Sequence, residues 1–330
     1  MSALLSLSAV LMVAAFAYLG GAVIGLRPIF AVFIPYAALS IFLVGFTYRV
    51  IRWAQSPVPF NITTTCGQQK SLPWIKAAGI ENPSTKLGVF IRMALEIVFF
   101  RSLFRNTRAG LRTGPRLVYV ESKFLWLAAL AFHWSFLIIL LRHLRFFIEP
   151  IPRFVYGLEK MDGFFQIGGP VLYSSDVLVA AALLFLLWRR IGESQIRYLS
   201  LPTDYFALLL LLGLVTSGIC MRYFAKVDIE AIKQLAMGLA TFSPLVPDRV
   251  SPLFFVHLTL LSVLAAYFPF SKLMHLGGLF LSPTRNLAND SRMRRHVNVW
   301  DYPVKEHTYE EWEDEFRDKM KAAGLPVERP

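Results

Sequence analysis

The feature that most constrains this chain is the gathering of its apolar residues into six long runs. A helix needs about 20 residues to cross the roughly 30 Å hydrocarbon core of a bilayer, and each run is near that length. The apolar residues are not spread in the periods of soluble helices or strands. The sequence therefore predicts an all-α integral membrane protein with six transmembrane helices, at about residues 4–25, 29–48, 123–147, 171–188, 203–221 and 251–281.

The first and last runs have special features. Residues 1–7 carry no Lys or Arg, and the first run is longer than the apolar part of a typical signal peptide, which favours a retained helix over a cleaved one. Pro269 lies within the last run. Because proline removes a backbone hydrogen bond, we expect that helix to kink or tilt.

Basic residues determine the predicted orientation. A formal net charge of +12 would hint at nucleic acid in a soluble protein, but here Lys and Arg concentrate between the second and third runs. Such loops stay on the cytoplasmic side of the cell membrane, which puts both termini in the cytoplasm. The predicted parts are two N-terminal transmembrane helices (1–52), a basic cytoplasmic loop (53–122), a four-helix domain (123–281) and a cytoplasmic tail (282–330).

Two further helices are predicted on the cytoplasmic side. Residues 84–108 begin with a cap candidate, Ser84, and mix apolar side chains with arginines, which is typical of an amphipathic helix at the membrane surface. Residues 308–321 begin with a second cap candidate, Thr308, and pass from acidic to basic, which suits the helix macrodipole. This second helix is either solvated or a docking element for a cytoplasmic partner.

Histidines are concentrated in the predicted membrane helices. The chain has six histidines, and four of them lie in the third and sixth runs. A single intramembrane histidine is most often hydrogen-bonded to a neighbouring helix, but two on each of two helices indicate a shared function. The four are His133 and His143 in the third run and His257 and His275 in the sixth.

The predicted orientation sorts these histidines into two levels. The third and sixth helices are antiparallel, so His133 and His275 lie in the cytoplasmic half and His143 and His257 lie toward the outer face. Two imidazoles from facing helices are the axial ligands of a bis-histidine haem b, a site suited to electron transfer. A mononuclear zinc or copper site is a poorer alternative, because each level has two ligands and no carboxylate or thiol beside them.

The spacing within each helix limits this pairing. At 1.5 Å per residue, His133 and His143 are about 15 Å apart along a straight helix, and His257 and His275 about 27 Å. These two separations differ by about 12 Å, and helix tilt or the kink expected at Pro269 must make up that difference if the histidines are to pair.

Charged residues near the four histidines are candidates for supporting roles. Arg142 and Arg145 flank His143, and Lys272 is close to His275. These side chains either pair with haem propionates or extend to lipid headgroups.

The remaining histidines and the cysteines have no predicted role in catalysis. His296 and His307 lie in the tail and are expected to be solvated or hydrogen-bonded. Cys66 and Cys220 are far apart with no second thiol nearby, which excludes a disulfide framework and a thioether-linked haem.

The histidine spacings carry a resemblance to a known family. Two histidines ten residues apart on one helix, followed by two eighteen apart on the last, are similar to the gamma subunit of respiratory nitrate reductase, over about 120–285. Relative to that five-span family, the first helix is extra. Three further motifs resemble DsrM, the cytochrome b subunit of the Dsr membrane complex (DsrMKJOP) of sulfur metabolism: CGQQKSLPWIK (66–76), RMALEIVFFRSLFRNTR (92–108) and SRMRRHVNVWDYPVKEHTYEEWEDEF (291–316).

This resemblance implies cofactors, partners and a substrate. It implies two haems b held by His133 with His275 and by His143 with His257, the same pairs that helix direction gives. It also implies exchange of electrons with menaquinone or a related quinone. The implied partners are a cytoplasmic iron–sulfur subunit related to heterodisulfide reductase (DsrK-like), other Dsr subunits and, indirectly, the sulfur carrier DsrC.

The resemblance also places a quinone near the outer haem. That position is close to His143 and to the loop 148–170, where Lys160 or Asp162 could hydrogen-bond a quinone oxygen or pass protons. An ordinary exposed loop is the alternative.

Together these features favour a quinone-reactive electron-transfer subunit of an oxidoreductase complex in the cytoplasmic membrane. Three alternatives remain open: a gamma-like subunit of another respiratory complex, of nitrate reductase or heterodisulfide reductase type; a non-haem transporter; and a structural anchor. A transporter usually has carboxylates in its core, whereas Asp176 and Asp204 lie only near the edges of predicted spans.

Overall fold

The computed structural model describes residues 2–56, 58, 61, 69–70, 73–114, 116–166, 169–290 and 305–328, which are mainly helical. Cys66 and His296 lie outside these residues. The α-helices are α1 (Ser2–Ala22), α2 (Ile34–Ala54), α3 (Lys86–Phe99), α4 (Arg101–Phe104), α5 (Lys123–His143), α6 (Arg153–Asp162), α7 (Ser174–Gly192), α8 (Ser194–Leu199), α9 (Pro202–Ile219), α10 (Ile229–Ala240), α11 (Pro252–Tyr267), α12 (His275–Leu281) and α13 (Tyr309–Ala322). The antiparallel strand pairs are β1 (Thr107–Arg112) with β2 (Arg116–Glu121), and β3 (Gly163–Phe165) with β4 (Leu172–Tyr173).

Five helical segments within the described part of the chain are long and apolar enough to cross a membrane: Ser2–Ala22, Ile24–Ala54, Lys123–Phe146, Pro202–Phe224 and Pro252–Phe270. They agree with five of the six predicted runs, and the chain is a multi-pass membrane protein. The fourth run corresponds to α7, which carries Asp176 in its first turn and Arg189 and Arg190 in its last. That α7 also crosses the membrane stays a prediction.

The membrane helices pack around α9 and α11. Helix α5 lies along α7, α7 along α9, and α9 along α11, while α1 contacts both α9 and α11 and α2 contacts α11. Leu210 and Phe255 are fully buried where these helices meet. Small residues allow the closest approaches, because a Cβ on Gly21 would lie 2.5 Å from the Phe255 ring. Helices α9 and α11 thus form the centre of the bundle, which α1, α2 and α7 contact directly and α5 joins through α7.

The last predicted run, 251–281, forms two helices, and the distortion expected at Pro269 is a break between them. Helix α11 ends at Tyr267, a 3₁₀ turn follows at Phe268–Phe270, and Ser271 is extended with φ −116° and ψ 176°. A second 3₁₀ turn (Lys272–Met274) then leads into α12. The physical reason is that Pro269 cannot continue the helical hydrogen bonds, while the Ser271 side chain accepts from the Leu273 N–H and begins a new turn.

The loop between α2 and α5 also differs from its prediction. Helix α3 is capped by Thr85, whose hydroxyl accepts from the Gly88 N–H, and not by Ser84. The helix ends at Phe99, because Phe100 has a left-handed conformation with φ 50°. After the single turn of α4 the chain forms the β1–β2 hairpin, with Gly114 at φ 87° in its turn. A helix extending to residue 108 is therefore wrong, and the hairpin was not predicted.

Polar contacts hold this loop to the segment that follows α12. Glu96 is buried and accepts from the Ser102 N–H at 3.1 Å, and Arg285 lies 2.8 Å from the same carboxylate. Glu81 pairs with Arg101 and Arg105. Burial opposes ionisation of Glu81, but these two guanidinium groups outweigh it and lower the pKa of the carboxyl below its ordinary value.

The predicted helix in the tail is confirmed. Helix α13 begins after Thr308, whose hydroxyl accepts from the Glu311 N–H while the Glu311 carboxylate accepts from the Thr308 N–H. His307, just before it, is exposed.

Candidate functional site

The four histidines are described as an inner and an outer pair, after their predicted positions in the membrane. The inner pair, His133 with His275, joins α5 to the start of α12. His133 lies in the middle of α5, and His275 is the first residue of α12, directly after the break in the last span. The two ring centres are 5.9 Å apart, and the ring planes are nearly perpendicular, at 86°. The break after Pro269 is what allows His275 to reach this position, since a straight helix would carry it about 12 Å farther along.

The outer pair joins the end of α5 to α11. His143 is the last residue of α5, and His257 lies in the first half of α11. Their ring centres are 6.4 Å apart and their planes are nearly parallel, at 10°. The four histidines thus form two pairs, and each pair has one member from α5 and one from the last span.

On all four histidines, Nδ1 is the ring nitrogen within hydrogen-bond distance of a neighbouring oxygen. Three Nδ1 atoms lie within hydrogen-bond distance of carbonyl oxygens on their own chain segments: His133 with Ala129 O at 2.8 Å, His143 with Ile139 O at 2.7 Å and His275 with Lys272 O at 3.0 Å. A carbonyl only accepts, so these Nδ1 atoms carry the proton. The arrangement leaves Nε2 as the bare nitrogen that can bind a metal.

Ser217 provides the fourth contact. Its hydroxyl donates to Leu214 O at 2.8 Å, so its oxygen accepts from Nδ1–H of His257 at 2.9 Å. The His257 ring also lies against Gly218, where an added Cβ would be 3.4 Å from Cε1. Ser217 and Gly218 on α9 therefore fix the orientation of a ring on α11.

The ring separations suit an iron held from two sides. A metal–imidazole bond is about 2 Å long and a ring nitrogen lies about 1 Å from the ring centre, which puts two axial rings about 6 Å apart. Both observed separations agree with this distance. Each pair supplies two neutral nitrogens, which suits haem iron because the porphyrin provides the other four ligands. In the described parts of the chain, no three His, Cys, Asp or Glu side chains form a cluster that could hold a metal ion.

A buried charged cluster lies next to the outer pair. Arg142 donates to Asp162 and to Ser175 Oγ at 2.9 Å, and its guanidinium lies 3.5 Å from the centre of the Tyr173 ring. Asp162 also accepts from the N–H of Ser175 at 2.8 Å, and Asp176 is 3.7 Å from Arg142. The cluster connects the ends of α5 and α6 to the start of α7. Sequence reasoning assigned no role to Tyr173 or Ser175, and no local pattern marks them.

The cations expected to meet haem propionates have protein partners. Arg142 pairs with Asp162, Arg145 with Glu159, and Lys272 Nζ lies 2.7 Å from Asp204. Their role with propionates stays a prediction.

The two residues predicted near a quinone have different surroundings. Lys160 lines an open cavity of about 530 Å³ together with Tyr156, Gln166 and Tyr173. Asp162 is 6 % exposed and faces Arg142 and Ser175. Lys160 can therefore contact a ligand in this cavity directly, whereas Asp162 supports the wall behind it.

Comparison with known proteins gives concordant results. Residues 90–295 match the nitrate reductase gamma subunit family. The chain is 50% identical over 281 residues to the Hdr-like menaquinol oxidoreductase cytochrome b-like subunit of Archaeoglobus fulgidus, covering 83% of both proteins. It is 41% identical over 275 residues to the protein of the same name from Archaeoglobus profundus, covering 81% of both. The chain therefore belongs to the nitrate reductase gamma subunit family, which is consistent with a DsrM-like membrane cytochrome b.

Proposed function

We propose that this protein relays electrons between menaquinol and a cytoplasmic iron–sulfur subunit through two bis-histidine haems b. The observation that carries the proposal is the pair of imidazole sites, with ring centres 5.9 and 6.4 Å apart and every Nδ1 already hydrogen-bonded. The name of the Archaeoglobus relatives supports both the haem and the menaquinol.

In this proposal His133 and His275 hold the inner haem, and His143 and His257 hold the outer one. The haem iron supplies one-electron chemistry, and neither histidine pair acts as an acid or base. The two levels are separated by about 15 Å along α5. Two redox centres at this spacing divide the low-dielectric core into shorter electron-transfer steps.

Menaquinol binding is assigned to the cavity lined by Lys160 and Tyr173. Its volume is in the range of small-molecule sites. It adjoins the outer histidines through Tyr173 and Arg142, the residue before His143. Lys160 is the side chain that can hydrogen-bond a quinone oxygen. Asp162 holds Arg142 and thereby the stacked Tyr173 ring in place.

The cytoplasmic loop and tail are assigned to partner binding. The resemblance to DsrM favours a DsrK-like iron–sulfur subunit related to heterodisulfide reductase as the direct partner. Other Dsr subunits are further partners, and DsrC is an indirect one. The word Hdr-like in the names of the relatives supports the same type of partner. A gamma-like role in a nitrate reductase complex is the second candidate, favoured by the family match. Isolation of the complex from membranes, with identification of its cytoplasmic subunit, distinguishes the two.

The haem content of the purified protein tests the proposal. We expect reduced-minus-oxidised spectra to show two b-type haems per chain, both reduced by a menaquinol analogue. His143→Ala should remove one haem, and His307→Ala, a matched histidine variant in the tail, should remove none. A chain without haem under conditions that preserve cofactors would contradict the proposal, as would an unchanged haem content in His143→Ala.

A further inference from the structure

Phe100 is the one residue in the α3–α4 segment that combines an unusual backbone with contact to a histidine of the inner pair. Its φ of 50° lies in the left-handed region, which residues with a Cβ rarely adopt. Its ring centre is 4.9 Å from that of His133, with the planes at 89°. Strained backbone conformations of this kind are concentrated at functional sites.

Two tryptophans of α5 hold the backbone that carries Phe100. The indole Nε1 of Trp126 donates to Phe99 O at 2.7 Å, and that of Trp134 donates to Val98 O at 3.0 Å. Both tryptophans lie on the same helix as His133, one at each side of it along the chain. The end of α3 is therefore fixed against α5 at the level of His133.

Two aromatic rings enclose the His133 imidazole. The Phe100 ring, just after the end of α3, contacts the His133 ring. The Phe132 ring also contacts it, with the two ring centres 4.9 Å apart and the planes at 80°. Edge-to-face contacts of this kind have a preferred geometry and resist rotation of the ring. With Nδ1 also bonded to Ala129 O, the His133 ring has one orientation, perpendicular to His275.

We infer that Phe100 is a positioning residue that holds the His133 ring perpendicular to its partner and so makes the inner haem electronically different from the outer one. The inference depends on the proposed haem ligation. The orientation of axial ligands is one means by which a protein adjusts a haem. Parallel imidazoles interact with the same iron d orbital, and perpendicular imidazoles with two different ones. Low-spin ferric haem therefore gives a rhombic electron paramagnetic resonance (EPR) signal in the first case and a highly anisotropic signal in the second.

EPR spectroscopy of the full-length oxidised protein tests this inference. We expect the wild type to give one rhombic and one highly anisotropic low-spin signal. His143→Ala, which removes the outer haem, should retain only the anisotropic signal. Two haems per chain that both give rhombic signals would contradict the inference and leave the proposed function intact, whereas a haem-free chain would contradict the proposed function.

Substitutions of Phe100 supply the second part of the test. Phe100→Gly removes the ring, and glycine adopts a positive φ without the Cβ penalty, so the backbone is preserved. Phe100→Leu removes the ring and keeps a side chain of moderate size. We expect both variants to retain two haems and to shift the anisotropic signal toward the rhombic type, with the outer signal unchanged.

Phe104→Leu is the matched control in the same segment. The Phe104 ring contacts Trp126, with centres 4.9 Å apart. This variant should give the wild-type spectrum. If Phe100→Gly retains both signals unchanged, or if Phe104→Leu shifts the inner signal as much as Phe100→Leu does, Phe100 has no specific positioning role.

Discussion

The outer and inner histidine pairs have similar ring separations but different supporting contacts. In the outer pair, His143 and His257 are half-buried, with Ser217 bonded to one ring and the Arg142–Asp162 cluster beside the other. In the inner pair, both rings are exposed in the folded chain and the neighbours of His133 are aromatic. Its second member, His275, follows a break in the helix and not a continuous span.

This comparison shows two ways of fixing an imidazole inside a membrane protein. Buried polar contacts are costly to leave unpaired, so the outer pair depends on a few partners with large individual effects. Each aromatic contact or capped turn contributes less to stability, so the inner pair depends on several weak interactions. Substitutions should therefore have larger effects at the outer pair than at the inner one.

The largest effect is expected for Asp162→Ala. This change removes the nearer of the two carboxylates that face the buried Arg142 guanidinium and leaves Asp176 at 3.7 Å. Removing one partner of a buried ion pair costs about 3–5 kcal/mol. We expect a lower thermal unfolding midpoint and loss of outer haem in preference to inner haem. The control is Glu159→Ala, which breaks the more exposed pair with Arg145 and should cost about 1 kcal/mol or less. Equal effects of the two variants would mean that the outer cluster is not a special support.

An intermediate effect, on the retention of the outer haem, is expected for Ser217→Ala. The variant removes the acceptor for His257 Nδ1–H, and loss of such a contact typically weakens metal binding about 10–100-fold. The rate of outer haem transfer to apomyoglobin measures this change. Ser262→Ala is the control, because its hydroxyl donates to Leu258 O on the same helix as His257. If both variants release haem at the wild-type rate, Ser217 does not stabilise the ligand.

A smaller effect is expected for Ser271→Ala at the inner pair. The variant removes the side-chain cap of the turn that leads to His275, worth about 1 kcal/mol. Inner haem retention should fall slightly while outer haem retention is unchanged. Thr308→Ala removes a comparable cap from α13 and should leave both haems in place. A loss of outer haem in Ser271→Ala would show that the two levels are not independent.

Much of the fold and the grouping of the histidines could be predicted from the sequence. Apolar runs mark membrane helices because the bilayer imposes their length. Helix direction then places His133 near His275 and His143 near His257, since the start of one antiparallel span lies beside the end of the other. Pro269 indicated a distortion in the last span, but the extent of the break was not predictable, because it also depends on the Ser271 cap.

Features that depend on long-range contacts were missed. Arg142 pairs with Asp162, twenty residues away in sequence, through the folding of α6 against α5, which no periodicity encodes. Ser217 looks like any small residue in an apolar helix until His257 lies beside it. Phe100 gave no signal for a positive φ, because glycine and asparagine are the residues that usually mark one. The β1–β2 hairpin was missed because all but its first two residues lie beyond the predicted amphipathic helix, and the basic residues there were counted only toward the orientation of the loop.

The haem content of double histidine variants tests the central pairing most directly. His133→Ala with His275→Ala should leave one haem per chain, because both substitutions affect the inner pair, and His143→Ala with His257→Ala should likewise leave one. His133→Ala with His143→Ala should leave none. If the variant that combines His133→Ala and His275→Ala loses both haems, or the variant that combines His133→Ala and His143→Ala retains one, these residues do not ligate iron in the pairs assigned here.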